Sequence, residues 1–156
     1  MKPTRSTRRH FLAAGAALLA APPLFAAEPK TPMQMWKSPT CGCCKDWVAH
    51  VEAAGFSVTT SDEGNTDARK KLGIPLSLGS CHTVKVGNYA LEGHVPVREI
   101  RRLLREKPQA VGLAVAGMAL GSPGMDGPAY GGKKTAYDVV LVMADGTSKV
   151  YQHYPA

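Results

Sequence analysis

Several function classes are excluded by what this chain of 156 residues lacks. Its longest Ala/Leu-rich apolar run, Phe11 to Ala21, falls far short of the roughly 20 residues that a membrane-spanning helix needs. There is no block of five like charges, and aromatic residues make up only 6 %, so the electrostatic and stacking footprint of a nucleic-acid binder is missing. No Ser/His/Asp set and no pair of carboxylates suggests hydrolysis. Gly117, Gly121 and Gly124 do not sit in the strand–loop–helix frame of a phosphate cradle, and they read as backbone punctuation. Nothing repeats internally, and the length suits one domain with a real core. Cysteine is scarce as well, with four in the whole chain.

The placement of those four carries the chemistry. Three lie in Cys41-Gly42-Cys43-Cys44 and one at Cys81, within Ser80-Cys81-His82-Thr83. A structural disulfide framework would spread them out, and a redox pair needs only two. A bond between the adjacent Cys43 and Cys44 would strain the backbone. Thiolates gathered this densely suit a soft ion, Cu(I) or Zn(II). Two other readings stand beside this one. Cys41 and Cys44 have the spacing of a thiol–disulfide pair, although Cys43 between them would scramble the bond and Thr40 replaces the usual bulky aromatic. Four cysteines also suffice for structural zinc, which normally takes two spaced doublets.

Residues 1–27 read as an export leader. Lys2, Arg5, Arg8 and Arg9 form an acid-free basic head, the apolar run follows, and Ala26 and Ala27 offer small residues for cleavage. Thr7-Arg8-Arg9-His10-Phe11-Leu12 resembles a bacterial twin-arginine signal, which carries proteins that cross already folded. An ordinary secretory signal is the plainer alternative. Either way a periplasmic domain over residues 28–156 is expected. The formal charge of +7 partly belongs to the leader, and without its four basic residues 15 Lys+Arg face 12 Asp+Glu. Thiols in an oxidising compartment are bonded, metal-bound or catalytic.

Periodicity and turn residues lay out the rest. Met33 to Lys37 reads as a strand, and Ser38-Pro39-Thr40 leads into a helix from Gly42 to about Ala54, with Thr40 as its cap and Trp47, Val48, Val51 and Ala54 on its apolar stripe. Phe56 to Thr60 alternates as a strand, and Asn65 or Thr66 caps a short helix, Asp67 to Leu72. Thr83 to Val86 and Tyr89 to Glu92 flank a Gly87-Asn88 hairpin turn. Pro96 opens an amphipathic helix with Val97, Ile100, Leu103 and Leu104 inward and arginines outward. Residues 112–132 read as one long loop, and Tyr137 to Met143 pairs with Ser148 to Tyr154 around Asp145-Gly146. The order β-α-β-α-β-β-α is that of an α/β thioredoxin/glutaredoxin-like mixed sheet, here with a C-terminal β-hairpin. Such a plan puts the Cys-x-Cys-Cys segment at a helix N-terminus, where the dipole favours thiolate, and brings the loop holding Cys81 against it.

Five ordered blocks then become recognisable: residues 37–47 around Cys-Gly-Cys-Cys, Ser80-Cys81-His82-Thr83, Glu92-Gly93-His94-Val95-Pro96, Gly112-Leu113-Ala114-Val115 and Gly121-Ser122-Pro123-Gly124-Met125. Over Met33 to Tyr154 the chain resembles the exported CopG-type copper-resistance family, long labelled a domain of unknown function. The resemblance implies a thioredoxin-like fold, a copper site built on Cys41, Cys43, Cys44 and Cys81, and a role in periplasmic copper handling. Residues 115–119 depart from the family, with alanines where it often has prolines.

With that resemblance, copper ranks ahead of zinc and of a bare disulfide pair. Adjacent thiolates at Cys43 and Cys44 point to different neighbours on a helix, which favours a small multinuclear Cu(I)–thiolate assembly over a single centre. His82 gains as a ligand from its place beside Cys81, and His94 from its place before the last helix. Met118 and Met125 offer thioether sulfur from the loop, against the plainer reading that they cover an apolar patch. His50 lies ~10 Å of helix rise beyond Cys43 and is set aside. His153 reads as surface, and Met33, Met35 and Met143 as core. A Cys and His mixture tolerates either copper valence, so interconversion of Cu(I) and Cu(II) is a candidate activity. The expected partners are copper ions and other periplasmic copper-handling proteins, with a monomer as the expected state.

Overall fold

A computed structural model of the chain describes residues 29–156. The export leader read at residues 1–27 lies outside them. Seven strands and three helices follow the order β1 (Thr31–Lys37), α1 (Gly42–Ala53), β2 (Phe56–Ser61), α2 (Thr66–Lys71), β3 (His82–Val86), β4 (Tyr89–Glu92), α3 (Val97–Glu106), β5 (Gly112–Ala114), β6 (Tyr137–Val142) and β7 (Ser148–Tyr154). They form one mixed sheet in the order β2-β1-β3-β4-β5-β6-β7. The β1–β2 and β4–β5 pairs are parallel, and the remaining pairs are antiparallel. Among these residues no helix is long and apolar enough to cross a membrane.

Alternation along the strands sorts the side chains onto two faces. Met33, Met35, Val84, Val86, Leu91 and Leu113 join Cys44, Trp47 and Val51 of α1 and Ile100 and Leu103 of α3 in the main core. The opposite face carries a smaller cluster of Ile74, Ala90, Ala114 and Val142. His82 stands two residues before Val84 and so shares the α1 face, while Thr83 and Glu92 fall on the other. The arginines of α3 do more than face solvent. Arg98 reaches Gln152 at 2.9 Å, Arg102 the Tyr151 carbonyl at 3.1 Å, and Arg101 the Ala54 carbonyl at 2.7 Å. Tyr154 donates to the buried Glu99 at 2.5 Å, which fastens β7 to α3.

Three local expectations are corrected. Residues 112–114, read as loop, form β5, which pairs with both β4 and β6 and welds the C-terminal hairpin into the sheet. Three residues are too few to show a period, so the pairing had no sequence signature. Cys41, not Thr40, occupies the N-cap of α1, without a side-chain cap bond, and the Thr40 hydroxyl lies 3.2 Å from Ser38 Oγ instead. Asn65 stands at the N-cap of α2, but its side chain is drawn away to Ser80 and Thr83.

Candidate metal centre

The first turn of α1 carries Cys43 and Cys44, and Cys41 precedes it. The Ser80–Cys81 bend enters β3 beside that turn, because β3 is hydrogen-bonded to β1 with Lys37 opposite His82. Chain proximity gathers three of the sulfurs and strand pairing brings in the fourth, Cys81, and all four lie within 4.8 Å of one another. Cys43 Sγ is 3.6 Å from Cys41 Sγ and 3.9 Å from Cys81 Sγ. Two thiolates at ~2.3 Å from a shared tetrahedral ion stand about 3.8 Å apart, so these separations fit metal-ligand edges. Cys41 and Cys44 are joined as a disulfide with their Cα atoms 5.4 Å apart, while Cys43 and Cys81 are free thiols.

A second group overlaps the first through one member. Cys81 Sγ lies 3.0 Å from His94 Nε2 and 3.4 Å from His82 Nδ1, and these three donors also fall within 4.8 Å of each other. Both histidines are buried. His94 Nδ1 is 2.8 Å from the Pro123 carbonyl. A carbonyl only accepts, so Nδ1 carries the proton and the Nε2 lone pair of the neutral ring is left facing Cys81. His82 packs against Trp47 at 4.7 Å between ring centroids and against His94 at 5.0 Å. Its Nε2 is buried without a hydrogen-bond partner among the described residues, a state that costs about 1–3 kcal/mol and that stabilising contacts elsewhere must offset.

Burial sets the protonation of the group. It drives the His82 imidazole well below its ordinary pKa, with neighbouring His94 adding to the effect. Burial lowers His94 too, partly opposed by the Pro123 carbonyl, Asp126 and Asp46. Both rings are neutral at physiological pH, as metal ligands must be. Cys81 lies outside the helix N-terminus that was expected to favour thiolate in the Cys-x-Cys-Cys segment. It lies in a bend, and burial followed by the nearby Cys43 pushes it up to about 12, so a bound cation would have to displace its proton. A stability prediction follows for the metal-free protein. The unfolded chain takes up protons near pH 6.5 and the folded histidines do not, so the histidine contribution is present above that pH and lost as pH falls through it. Thermal melts between about pH 7.5 and 5 should show a falling Tm, with a shallower fall in His94→Gln. A Tm flat across that interval in both proteins would contradict this assignment.

The bend that presents Cys81 is held by a buried polar cluster from three elements, α2 with its N-cap, β3 and β4. Glu92 on β4, fully buried, accepts from Ser80 N at 2.7 Å, Arg69 Nε on α2 at 2.8 Å and Thr83 Oγ1 at 2.5 Å. Arg69 and Asn65 also donate to the Ser80 carbonyl, at 2.6 and 3.1 Å. The Ser80 hydroxyl donates to the Gly117 carbonyl of the long loop. Burial pushes the Glu92 carboxyl up, while the Thr83, Ser80 and Arg69 donors pull it down. Sequence reasoning read Asn65 only as a helix cap and Glu92 only as the end of a strand, and it left Arg69 unmarked, since a charged residue in a short helix reads as a solvated face.

The long loop contributes through its backbone. Gly124 is packed against the start of α1 with φ +84, and a Cβ there would stand 2.7 Å from the Cys43 carbonyl oxygen and 2.7 Å from Trp47 N. Gly124→Ala should therefore cost about 2 kcal/mol, from backbone strain and overpacking together, read as a Tm lower by several degrees. An unchanged Tm would mean that the loop yields freely. Met125 is buried, whereas Met118 is 57 % exposed on the wall of a shallow hollow with Leu78 and Ala119. His50 pairs with Asp126 at 3.4 Å and exposed His153 with Asp138 at 2.7 Å, both apart from the cysteine group. Met33 and Met35 are core, as read, and Met143 is partly buried against it.

A mixed α/β sheet presenting four cysteines and two buried histidines at the β1–α1 end defines a domain able to bind a metal through sulfur and nitrogen. Comparison with known proteins narrows this class. Residues 78–125 match the family described as "Protein of unknown function, DUF411". Two solved structures of a copper resistance protein, CopG, in Form 1 and Form 2, are each 42 % identical and cover 81 % of this chain and 99 % of theirs, with TM-scores of 0.74 and 0.73. No curated protein matches the sequence. The chain belongs to the CopG family of copper resistance proteins.

Proposed function

We propose that this protein handles copper in the bacterial periplasm, holding Cu(I) at the thiolates of Cys41, Cys43, Cys44 and Cys81 with His82 and His94 as further ligands. The observation that carries this reading is the convergence of four cysteine sulfurs in one group, with Cys81 also grouped with two buried, neutral imidazoles, in a relative of copper resistance proteins. Soft sulfur donors favour Cu(I), and four thiols are more than a single ion needs, which supports a small multinuclear assembly. Met125 and Met118 stand as thioether candidates from the adjoining loop. The β2-β1-β3-β4 order of the first four strands supports a thioredoxin-like ancestry. Export through the leader at residues 1–27 would place the thiols where copper tolerance requires them.

The Cys41–Cys44 disulfide favours a redox element in the same reading. Two Cu(II) ions each accept one electron from the Cys41 and Cys44 thiols, which close the bridge and release two protons, leaving two Cu(I). The second reading, a thiol–disulfide oxidoreductase without stored metal, rests on that same bridge. Metal and thiol content of mature protein from the periplasm of copper-fed cells separates the two. More than one copper per chain, lost in Cys43→Ser or Cys81→Ser, supports the copper site. Metal-free protein that takes up no Cu(I) after reduction would leave the oxidoreductase. Unchanged copper valence in anaerobic titration would remove the redox element and leave a buffer or chaperone.

A further inference from the structure

The two ligand groups share only Cys81, and the disulfide lies wholly in one of them. Closing Cys41 to Cys44 removes two thiolates from the four-sulfur group but leaves Cys81, His82 and His94 untouched. We propose that the disulfide form keeps a second, one-thiolate, two-imidazole site formed by Cys81 Sγ, His94 Nε2 and His82 Nδ1, so that bridging remodels the metal site instead of abolishing it. This rests on the copper reading above and deepens it.

Four observations bear on this. The donor separations of 3.0 and 3.4 Å lie near the ~3.5 Å edge between sulfur and nitrogen ligands of one tetrahedral ion. The Pro123 carbonyl fixes the tautomer that turns the His94 Nε2 lone pair toward Cys81, as ligating histidines are commonly fixed from behind. His82 is held in place by packing against Trp47 and His94, and its Nδ1 is the nitrogen turned to Cys81. Finally, the Ser80–Thr83 segment is clamped by Glu92, Arg69 and Asn65, none of which bonds to Cys41 or Cys44. Cys43, still a thiol and 3.9 Å from Cys81, stands beside the set as an additional donor. One thiolate with two imidazoles is borderline in softness and accepts Cu(I) or Cu(II), whereas the open four-thiol group is strongly selective for Cu(I). The bridge thereby sets which ligands copper meets.

The test uses the whole mature chain in two states, dithiol and bridged, with the Cys41–Cys44 bond verified by peptide mass. Each is titrated anaerobically with Cu(I) against a chromophoric chelator, and with Co(II), whose visible absorption reports tetrahedral sulfur–nitrogen ligation. The bridged form should take up one Cu(I) per chain and show the Co(II) bands. Both signals should weaken by more than about 100-fold in His94→Ala and in Cys81→Ser, exceeding what loss of an outer partner costs. Bridged protein that binds neither ion while the dithiol form binds Cu(I) overturns this inference and leaves the copper reading standing. Uptake by the bridged form that survives both single variants also overturns it. If His94→Ala does not fold, Cys81→Ser decides the matter alone. Failure of both states to bind Cu(I) overturns the copper reading itself.

Discussion

Cys81→Ser is expected to weaken Cu(I) binding by at least about 100-fold in both redox states, more than any other single cysteine change. The reason is positional. Cys81 alone belongs to both ligand groups, 3.9 Å from Cys43 Sγ on one side and 3.0 Å from His94 Nε2 on the other. A serine hydroxyl is nearly isosteric, yet it is a hard donor with little affinity for Cu(I). Competition with a chromophoric Cu(I) chelator measures the loss. Thermal unfolding of the metal-free variant serves as control, because a serine hydroxyl keeps a donor beside His94 Nε2 and Tm should move little. An affinity within about threefold of the native chain would show that copper is held elsewhere. Equal losses in Cys81→Ser and Cys41→Ser with the bridge open would instead mean that the four thiols act as one unit.

Glu92→Ala should produce the largest loss of stability, about 3–5 kcal/mol. Its carboxylate is fully buried and is met by the Arg69 guanidinium, the Ser80 amide and the Thr83 hydroxyl. Removing it strands a guanidinium that is itself only 10 % exposed, together with two neutral donors. For a domain of this size the Tm should fall by roughly 10–20 °C. Arg69→Met in the same background should recover part of the loss, since the uncompensated charge would be gone. A fall of less than about 2 °C in Glu92→Ala would show that water replaces the carboxylate without penalty. The two experiments are linked through the Ser80–Cys81 bend, so Glu92→Ala should also loosen copper binding where it still folds.

Much of the frame was legible in the linear chain. The apolar stripe of Trp47 and Val51 announced α1, Gly87-Asn88 and Asp145-Gly146 announced the hairpins, and Pro96 with Ile100 and Leu103 announced α3, because short-range period and turn chemistry are written locally. What failed was equally physical. β5 is three residues long and is a strand only because β4 and β6 lie on either side of it. Asn65 reads as a helix cap, yet its amide bonds to Ser80 and Thr83, 15 and 18 residues away. The protonation of Cys81 was not legible either, because burial, which opposes its charge, is set by the fold.

The donor inventory can be read from the linear chain: four cysteines, with histidines at 82 and 94, in blocks that resemble a copper-resistance family. Side-chain type and local spacing suffice for that, since softness and basicity are properties of the residue. Only the tertiary structure decided how those donors are grouped. Pairing of β3 with β1 carries Cys81 to the first turn of α1, and the Pro123 carbonyl, from a loop without a period of its own, turns His94 toward it. Burial then selects neutral imidazoles and a protonated Cys81, because desolvation depends on what surrounds a group in space and not on its neighbours along the chain.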